Sequence, residues 1–186
     1  MNDITLALQS IGDNERKATE ELFPLVYEEL RRMAAARMAN EASGHTLQPT
    51  ALVHEAWLQL AGNDGHSWRN RSHFFGAAAK AMRQILIINA RRKSSLKRGG
   101  NRERVEIEDL EITAATPDEQ VLLIDEALQW LEKEDSETAR MVLLKFFGGL
   151  TNEEVAESMN VSLRTVNRQW LYAKMKLFRW IREQQT

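Results

Sequence analysis

Leu150-Thr151-Asn152-Glu153-Glu154-Val155-Ala156-Glu157-Ser158-Met159-Asn160-Val161-Ser162-Leu163-Arg164-Thr165-Val166 is the stretch that decides the fold. Thr151, followed three residues later by Glu154, is a capping box: each side chain satisfies a backbone N–H that the first helical turn leaves without a partner. Asn160 follows the last apolar position of that short helix and tolerates the left-handed backbone that a tight turn between helices requires. Ser162 is placed to cap a second helix, Ala156 is small where two helices cross closely, and Val155, Met159, Val161 and Val166 supply a shared core. This is helix-turn-helix grammar, in which the second helix enters the DNA major groove by its N-terminal end.

Working outward, the second helix carries Arg164, Thr165, Asn167, Arg168 and Gln169 on its polar positions. Arginine pairs bidentately with guanine and Asn or Gln with adenine, at ~1–3 kcal/mol of discrimination per good pair. Lys174, Lys176 and Arg179 further along suit phosphates, which position without specifying. A helical hairpin with an ordinary solvated face is the bland alternative. The ordered coincidence of capping box, turn residue and donor-rich helix favours DNA.

Charge is segregated along the 186 residues although the formal net charge is only −2. Residues 68–104 carry 11 Lys/Arg against 1 Asp/Glu, residues 105–139 carry 1 against 12, and residues 140–186 carry 8 against 4. Two cationic blocks separated by an acidic one suggest two surfaces for a polyanion. The central cationic block reads as one helix over about 71–97, with Phe74, Phe75, Ala78, Met82, Ile85 and Ile88 on one face and Lys80, Arg83, Ile87 and Arg91 on another. Part of its C-terminal Arg91-Arg92-Lys93 cluster could serve the helix dipole alone, at ~0.3–1 kcal/mol per cation. Trp68 beside this helix suits unstacked bases, since stacking on an aromatic contributes ~1–3 kcal/mol per base; Phe74 and Phe75 read as core.

Periodicity adds a helix over 17–39, with Leu22, Leu25, Val26, Leu30, Met33 and Met38 as its apolar positions. Another spans 49–61, with Pro49 in the first turn, where no backbone bond is lost, and Leu52, Val53, Ala56 and Leu60 inward. Gly99-Gly100 breaks the pattern, and the acidic, weakly periodic 99–117 reads as a linker, its Val105–Glu108 alternation being too short to argue a strand. Helices return at 118–133, 136–147, 151–158 and 162–182. The expected fold is therefore all-α, with two helical domains, 1–98 and 118–186, joined by an acidic linker at 99–117.

Composition narrows the chemistry. With 43% hydrophobic and 28% charged residues the chain is not disordered, and with no cysteine it has neither thiol catalysis nor thiolate zinc sites. No apolar run approaches the ~20 residues of a membrane span and no leader-like stretch opens the chain, so a soluble, cytoplasmic protein is expected. His54-Glu55 begins like a zincin motif, but Leu58 stands where the second ligand belongs. No catalytic constellation stands out; no enzyme, no metal and no cofactor are expected.

Ala51-Leu52-Val53-His54-Glu55-Ala56-Trp57-Leu58, Phe74-Phe75-Gly76 through Arg91-Arg92, and Gly149-Leu150-Thr151 through Lys176-Leu177, in this order, resemble a bacterial sigma factor of the extracytoplasmic-function (ECF) group over about residues 17–183. The resemblance implies a factor that binds core RNA polymerase and directs it to promoter DNA. It implies that Ser162, Arg164, Thr165, Asn167, Arg168, Gln169 and Lys174 meet the promoter element near about −35. Asn63, Trp68, Asn70, Arg71, Lys80, Arg83, Arg91 and Arg92 would serve the element near about −10, where an extruded base offsets part of the cost of melting. Leu52, Val53, Glu55 and Leu58 would meet the polymerase clamp. Relatives usually carry acidic residues just ahead of the Leu-Val pair; here the stretch is Leu47-Gln48-Pro49-Thr50-Ala51. Thr50 is thus a candidate for phosphorylation by a Ser/Thr kinase, as in a branch of the group thought to be switched that way, with Thr46 and Ser43 as weaker candidates and Thr50 as a mere cap the alternative. An anti-sigma factor is a further implied partner. On residues alone two other readings stay open: a helix-turn-helix repressor or activator that ignores polymerase, and an RNA-binding or scaffold protein using the basic helix.

Overall fold

A computed structural model describes residues 15–38, 48–62, 70–96, 104–107, 110–113 and 117–184. Three helices come first: α1 (Glu15–Met38), α2 (Pro49–Ala61) and α3 (Arg71–Leu96). A hairpin of β1 (Arg104–Ile107) and β2 (Leu110–Thr113) follows, then α4 (Pro117–Glu134), α5 (Ser136–Val142) running into a π-helical turn (Leu143–Phe147), α6 (Asn152–Met159) and α7 (Leu163–Gln184). The protein is all-α apart from that one hairpin.

Helix α3 is the hub. It packs on α2, on α4, on the π-turn and on α6, so the helices before and after the hairpin share one continuous core. Phe74, Ala78, Ala79, Met82, Ile85 and Ala90 of α3 are buried together with Val26, Leu30 and Met33 of α1 and with Leu52, Val53, Ala56 and Leu60 of α2. Val121, Ile124, Leu128 and Leu131 of α4 continue it, and Val166, Trp170, Ala173, Leu177 and Ile181 give α7 a buried stripe at helical spacing. At ~1.5–3 kcal/mol per large buried apolar side chain, this core outweighs every local signal in the chain.

Several expectations need correction. Leu25 (43% exposed) and Ile88 (56%) face outward, because the inward stripes of α1 and α3 are filled by their neighbours Val26 and Ile85. The stretch read as a linker, 99–117, contains an antiparallel hairpin in which Val105 opposes Ile112 and Ile107 opposes Leu110. A lone four-residue alternation carries little weight, but Leu110–Thr113 supplies a second one in register, and cross-strand pairing makes each the other's partner. The segment 136–147 is not one α-helix, since its last five residues widen into the π-turn. Gly148 and Gly149 end that turn for a steric reason. A Cβ on Gly148 would lie 2.6 Å from the Leu144 carbonyl oxygen, and Gly149 has φ +62° with its Cβ position 2.7 Å from the Met33 carbonyl oxygen of α1.

Asp135 caps α5: its carboxylate accepts the Thr138 backbone N–H at 3.0 Å and the Thr138 hydroxyl at 2.7 Å. These two bonds, the hydroxyl first, hold its pKa below the usual carboxylate value, with the Lys176 ammonium adding to the effect. Because the folded value is depressed, this stabilisation is present above the unfolded pKa and is lost as pH falls through the folded one. Replacing Asp135 by Ala is expected to cost about 1 kcal/mol at neutral pH, and by Asn only a fraction of that. In urea melts, the gap between wild type and Asp135→Ala should shrink as pH drops below the ordinary carboxylate range; a pH-independent gap would contradict the assignment.

Candidate nucleic-acid interface

The α6–α7 unit is built as its sequence grammar requires. The Thr151 backbone N–H donates to Glu154 at 2.8 Å, the Thr151 hydroxyl accepts the Glu154 N–H at 3.3 Å, and the capping box is complete. Asn160 sits at φ 54°, ψ 47°, the left-handed conformation that closes the turn. Asn160 N–H donates to the Glu157 carbonyl at 3.2 Å and Val161 N–H to the Ala156 carbonyl at 3.0 Å, using two carbonyls that the end of α6 would leave open. The Ser162 hydroxyl accepts the Thr165 N–H at 3.1 Å, which starts α7. A bond crosses between the helices, from the Asn152 side-chain NH2 to the Asn167 side-chain oxygen Oδ1 at 2.7 Å. Val155 and Val166 are fully buried between them; Met159 and Val161 are half-buried.

The outward face of the first turns of α7 presents Arg164, Asn167 and Arg168, all exposed, with Thr165 and Gln169 half-buried beside them. Ser162 is committed to its capping bonds, including one shared with the Thr165 hydroxyl at 2.8 Å. Lys174 is half-buried with its ammonium 6.0 Å from the Trp170 ring centre, while Lys145 lies 5.2 Å from the same ring. Further along, Lys176 has its pKa raised, first by the Tyr172 hydroxyl and then by the Asp135 and Glu134 carboxylates, so it stays cationic throughout the physiological range.

On α3, Lys80, Arg91 and Arg92 are exposed. Arg83 is not: its side chain is 15% exposed and its guanidinium meets Asp125 at 2.6 Å and Glu132 at 2.7 Å, both on α4. Arg83, expected to serve the −10 element, is thus half-buried in this structure with its guanidinium engaged by α4. Asn70 serves as the N-terminal cap of α3, its side-chain oxygen accepting the His73 N–H at 2.8 Å. Asn63, Trp68, Thr46, Ser43 and the side chain of Arg71 lie outside the described residues.

On α2 the expected polymerase-facing set divides. Leu52 and Val53 are fully buried and hold α2 against its neighbours, so they cannot themselves touch a partner. Glu55 is exposed and Leu58 is 70% exposed. Thr50 is exposed one residue after Pro49, in a first turn that contains no acidic residue.

Residue-type reasoning missed Asp125 and Glu132, which look like ordinary helix acids but bracket Arg83. It also missed Arg37, which is 5% exposed and whose guanidinium lies 4.3 Å over the Phe146 ring. An exposed apolar stripe on α7, formed by Leu171, Met175 and Phe178, was legible only as part of an amphipathic helix. Among the described residues no group of acidic and histidine side chains could hold a metal ion, and no helix is long and apolar enough to cross a membrane.

The structure thus sets a fully capped helix-turn-helix, with Arg164, Asn167 and Arg168 exposed on its second helix, on the same core as a cationic helix. The family model for ECF sigma factors matches residues 1–183, and the chain belongs to that family. It is therefore a sigma factor, a protein of transcription initiation whose kind works with core RNA polymerase on promoter DNA and often answers to an anti-sigma factor. No individual curated protein matches the chain.

The left-handed residue of the turn gives a direct check. Asn160→Gly should leave the melting temperature unchanged within about a degree, whereas Asn160→Val should lower stability by roughly 1–2 kcal/mol, because a β-branched side chain collides with the backbone in that conformation. Equal stabilities for the two variants would contradict the turn geometry.

Proposed function

We propose that the chain directs core RNA polymerase to its promoters through two modules, 1–98 and 118–186, with 99–117 as the connection between them. In this reading Arg164, Asn167 and Arg168 read base edges of the −35 element, while Ser162 and Thr165 fix the helix start. Lys174 and Lys176 hold adjacent phosphates. Lys80, Arg91 and Arg92, with Asn63, Trp68, Asn70 and Arg71, serve the −10 element, and Arg83 joins them once released from α4. Glu55 and Leu58 form the surface of α2 offered to the polymerase. The observation that carries the reading is the exposed Arg164–Asn167–Arg168 face on a fully capped helix-turn-helix, in a chain that the ECF family model covers almost from end to end.

Thr50 is read as a phosphorylation site for a Ser/Thr kinase. Support comes from its exposure, from its position in the first turn of a 13-residue helix and from the absence of any acid in that turn. A phosphate there adds about −1.5 to −2 charge where backbone N–H groups and the helix dipole favour an anion. It would supply the negative charge that relatives carry ahead of the Leu-Val pair.

The direct test mixes the protein with core polymerase and follows co-elution, then scores transcripts from a library of genomic promoter fragments. Co-elution with promoter-dependent transcripts is expected; tight duplex binding with no polymerase association would make the chain a conventional helix-turn-helix regulator instead. Arg168→Ala should weaken transcription from the selected promoters about 5- to 150-fold, the equivalent of ~1–3 kcal/mol for one bidentate base contact. For Thr50, the Glu variant should bind polymerase more tightly than the Ala variant, and equal binding and transcription by both would remove the switch.

A further inference from the structure

The last turns of α3 set an exposed hydroxyl among cations. Ser94 directly follows Arg91-Arg92-Lys93, two residues before the helix ends at Leu96. Its Oγ donates to the Arg91 carbonyl at 2.9 Å, a back-bond to its own helix that caps nothing. The other exposed serines and threonines among the described side chains stand in different surroundings. Thr151 and Ser162 spend their hydroxyls capping α6 and α7, Ser136 stands between Asp135 and Glu137, and Thr50 lies in a first turn without charge. Among them, Ser94 alone combines exposure with a run of cations on its N-terminal side.

We propose that Ser94 is a phosphorylation site for a Ser/Thr kinase that reads basic substrates, and that its phosphate takes Arg91 away from nucleic acid. Resting on the reading of α3 as a DNA-facing helix, the site is distinct from the switch at Thr50. Kinases discriminate substrates by charge pattern, and arginines two and three residues ahead of the acceptor suit an acidic substrate groove. In the transfer, Ser94 Oγ bonds to the γ-phosphorus of ATP as the bond to the bridging oxygen breaks. ADP leaves, and the hydroxyl proton passes to the catalytic base of the kinase. The product carries about −1.5 to −2 charge at neutral pH. The helix dipole repels an anion at this end, so the phosphate turns to a side-chain cation. Arg91, one turn earlier, shares its helix face. Among the described residues no carboxylate holds the exposed Arg91, whereas Lys93 pairs with Asp118 at 3.4 Å and Arg92 donates to Asn89 at 3.1 Å. A guanidinium grips phosphoserine with the same paired bonds it offers a nucleic acid phosphate, so Arg91 cannot hold both.

The acceptor is tested by incubating the full chain with ATP and a purified kinase selective for arginines two and three residues upstream of serine. Peptide mass spectrometry should locate phosphate on Ser94, and Ser94→Ala should abolish it; no incorporation, or incorporation at Ser95 instead, overturns the site. The consequence is tested with the full chain carrying phosphoserine encoded at position 94, titrated with a fluorescent A/T-rich single-stranded oligonucleotide. It should bind at least about fivefold more weakly than the unmodified chain at low salt. The slope of log affinity against log salt should flatten by about 0.7, the value for one phosphate contact on a single strand. Arg91→Ala should show the same loss, and phosphoserine added to Arg91→Ala should remove little more. Ser94→Ala, which loses the hydroxyl without gaining charge, should bind as the wild type does, separating the charge from a disturbed helix end. Weaker binding by Arg91→Ala with none by the phosphoserine chain overturns the proposal and leaves the DNA-facing reading of α3 standing. Unchanged binding by both overturns that reading and the proposal with it.

Discussion

Helix α3 has to meet two demands that pull its composition apart. It is the packing centre of the protein, so it must be apolar enough to bury Phe74, Ala78, Met82, Ile85 and Ala90 among the helices on either side of the hairpin. It also carries the cations Lys80, Arg83, Arg91 and Arg92. A helix has too little circumference to keep these faces fully apart. Arg83 falls at the boundary and is drawn inside, where only charged partners make its burial tolerable. Asp125 and Glu132 of α4, two helical turns apart, supply those partners.

The helix-turn-helix solves a different problem with local means. Capping box, left-handed Asn160 and Ser162 cap fix the angle between α6 and α7 through short-range bonds, leaving the recognition face free of structural duties. Of its exposed donors, Asn167 is partly engaged, by Asn152. This division explains why the exposed donors of α7 can be read as a binding surface while the cations of α3 cannot be read so simply.

The same division decides how much was legible in the sequence. Caps, turn residue and apolar period are local, so the boundaries of α2, α3 and α7 and the backbone of Asn160 could be read from neighbouring residues. The inward positions of α2 were legible too, yet legibility of burial worked against the site: Leu52 and Val53 fit the polymerase-binding motif by type but are consumed by the core. The Arg83 cluster joins residues 42 and 49 positions apart, and nothing in their local pattern distinguishes them from solvated helix charges. The alternation at Val105–Glu108 could not be read as a strand because each strand is uninformative until paired with the other. Nor does local pattern show the close approach of Gly149 to Met33 just past the π-turn, again a contact between distant segments.

Family membership makes this a protein of transcription initiation, and the exposed donors of α7 support the reading of that helix as its promoter-facing surface. Amide hydrogen exchange, compared between the free protein and its complex with polymerase and promoter DNA, tests that reading directly. The account expects slower exchange at 164–169 of α7 on complex formation. Unchanged exchange at 164–169 would contradict it.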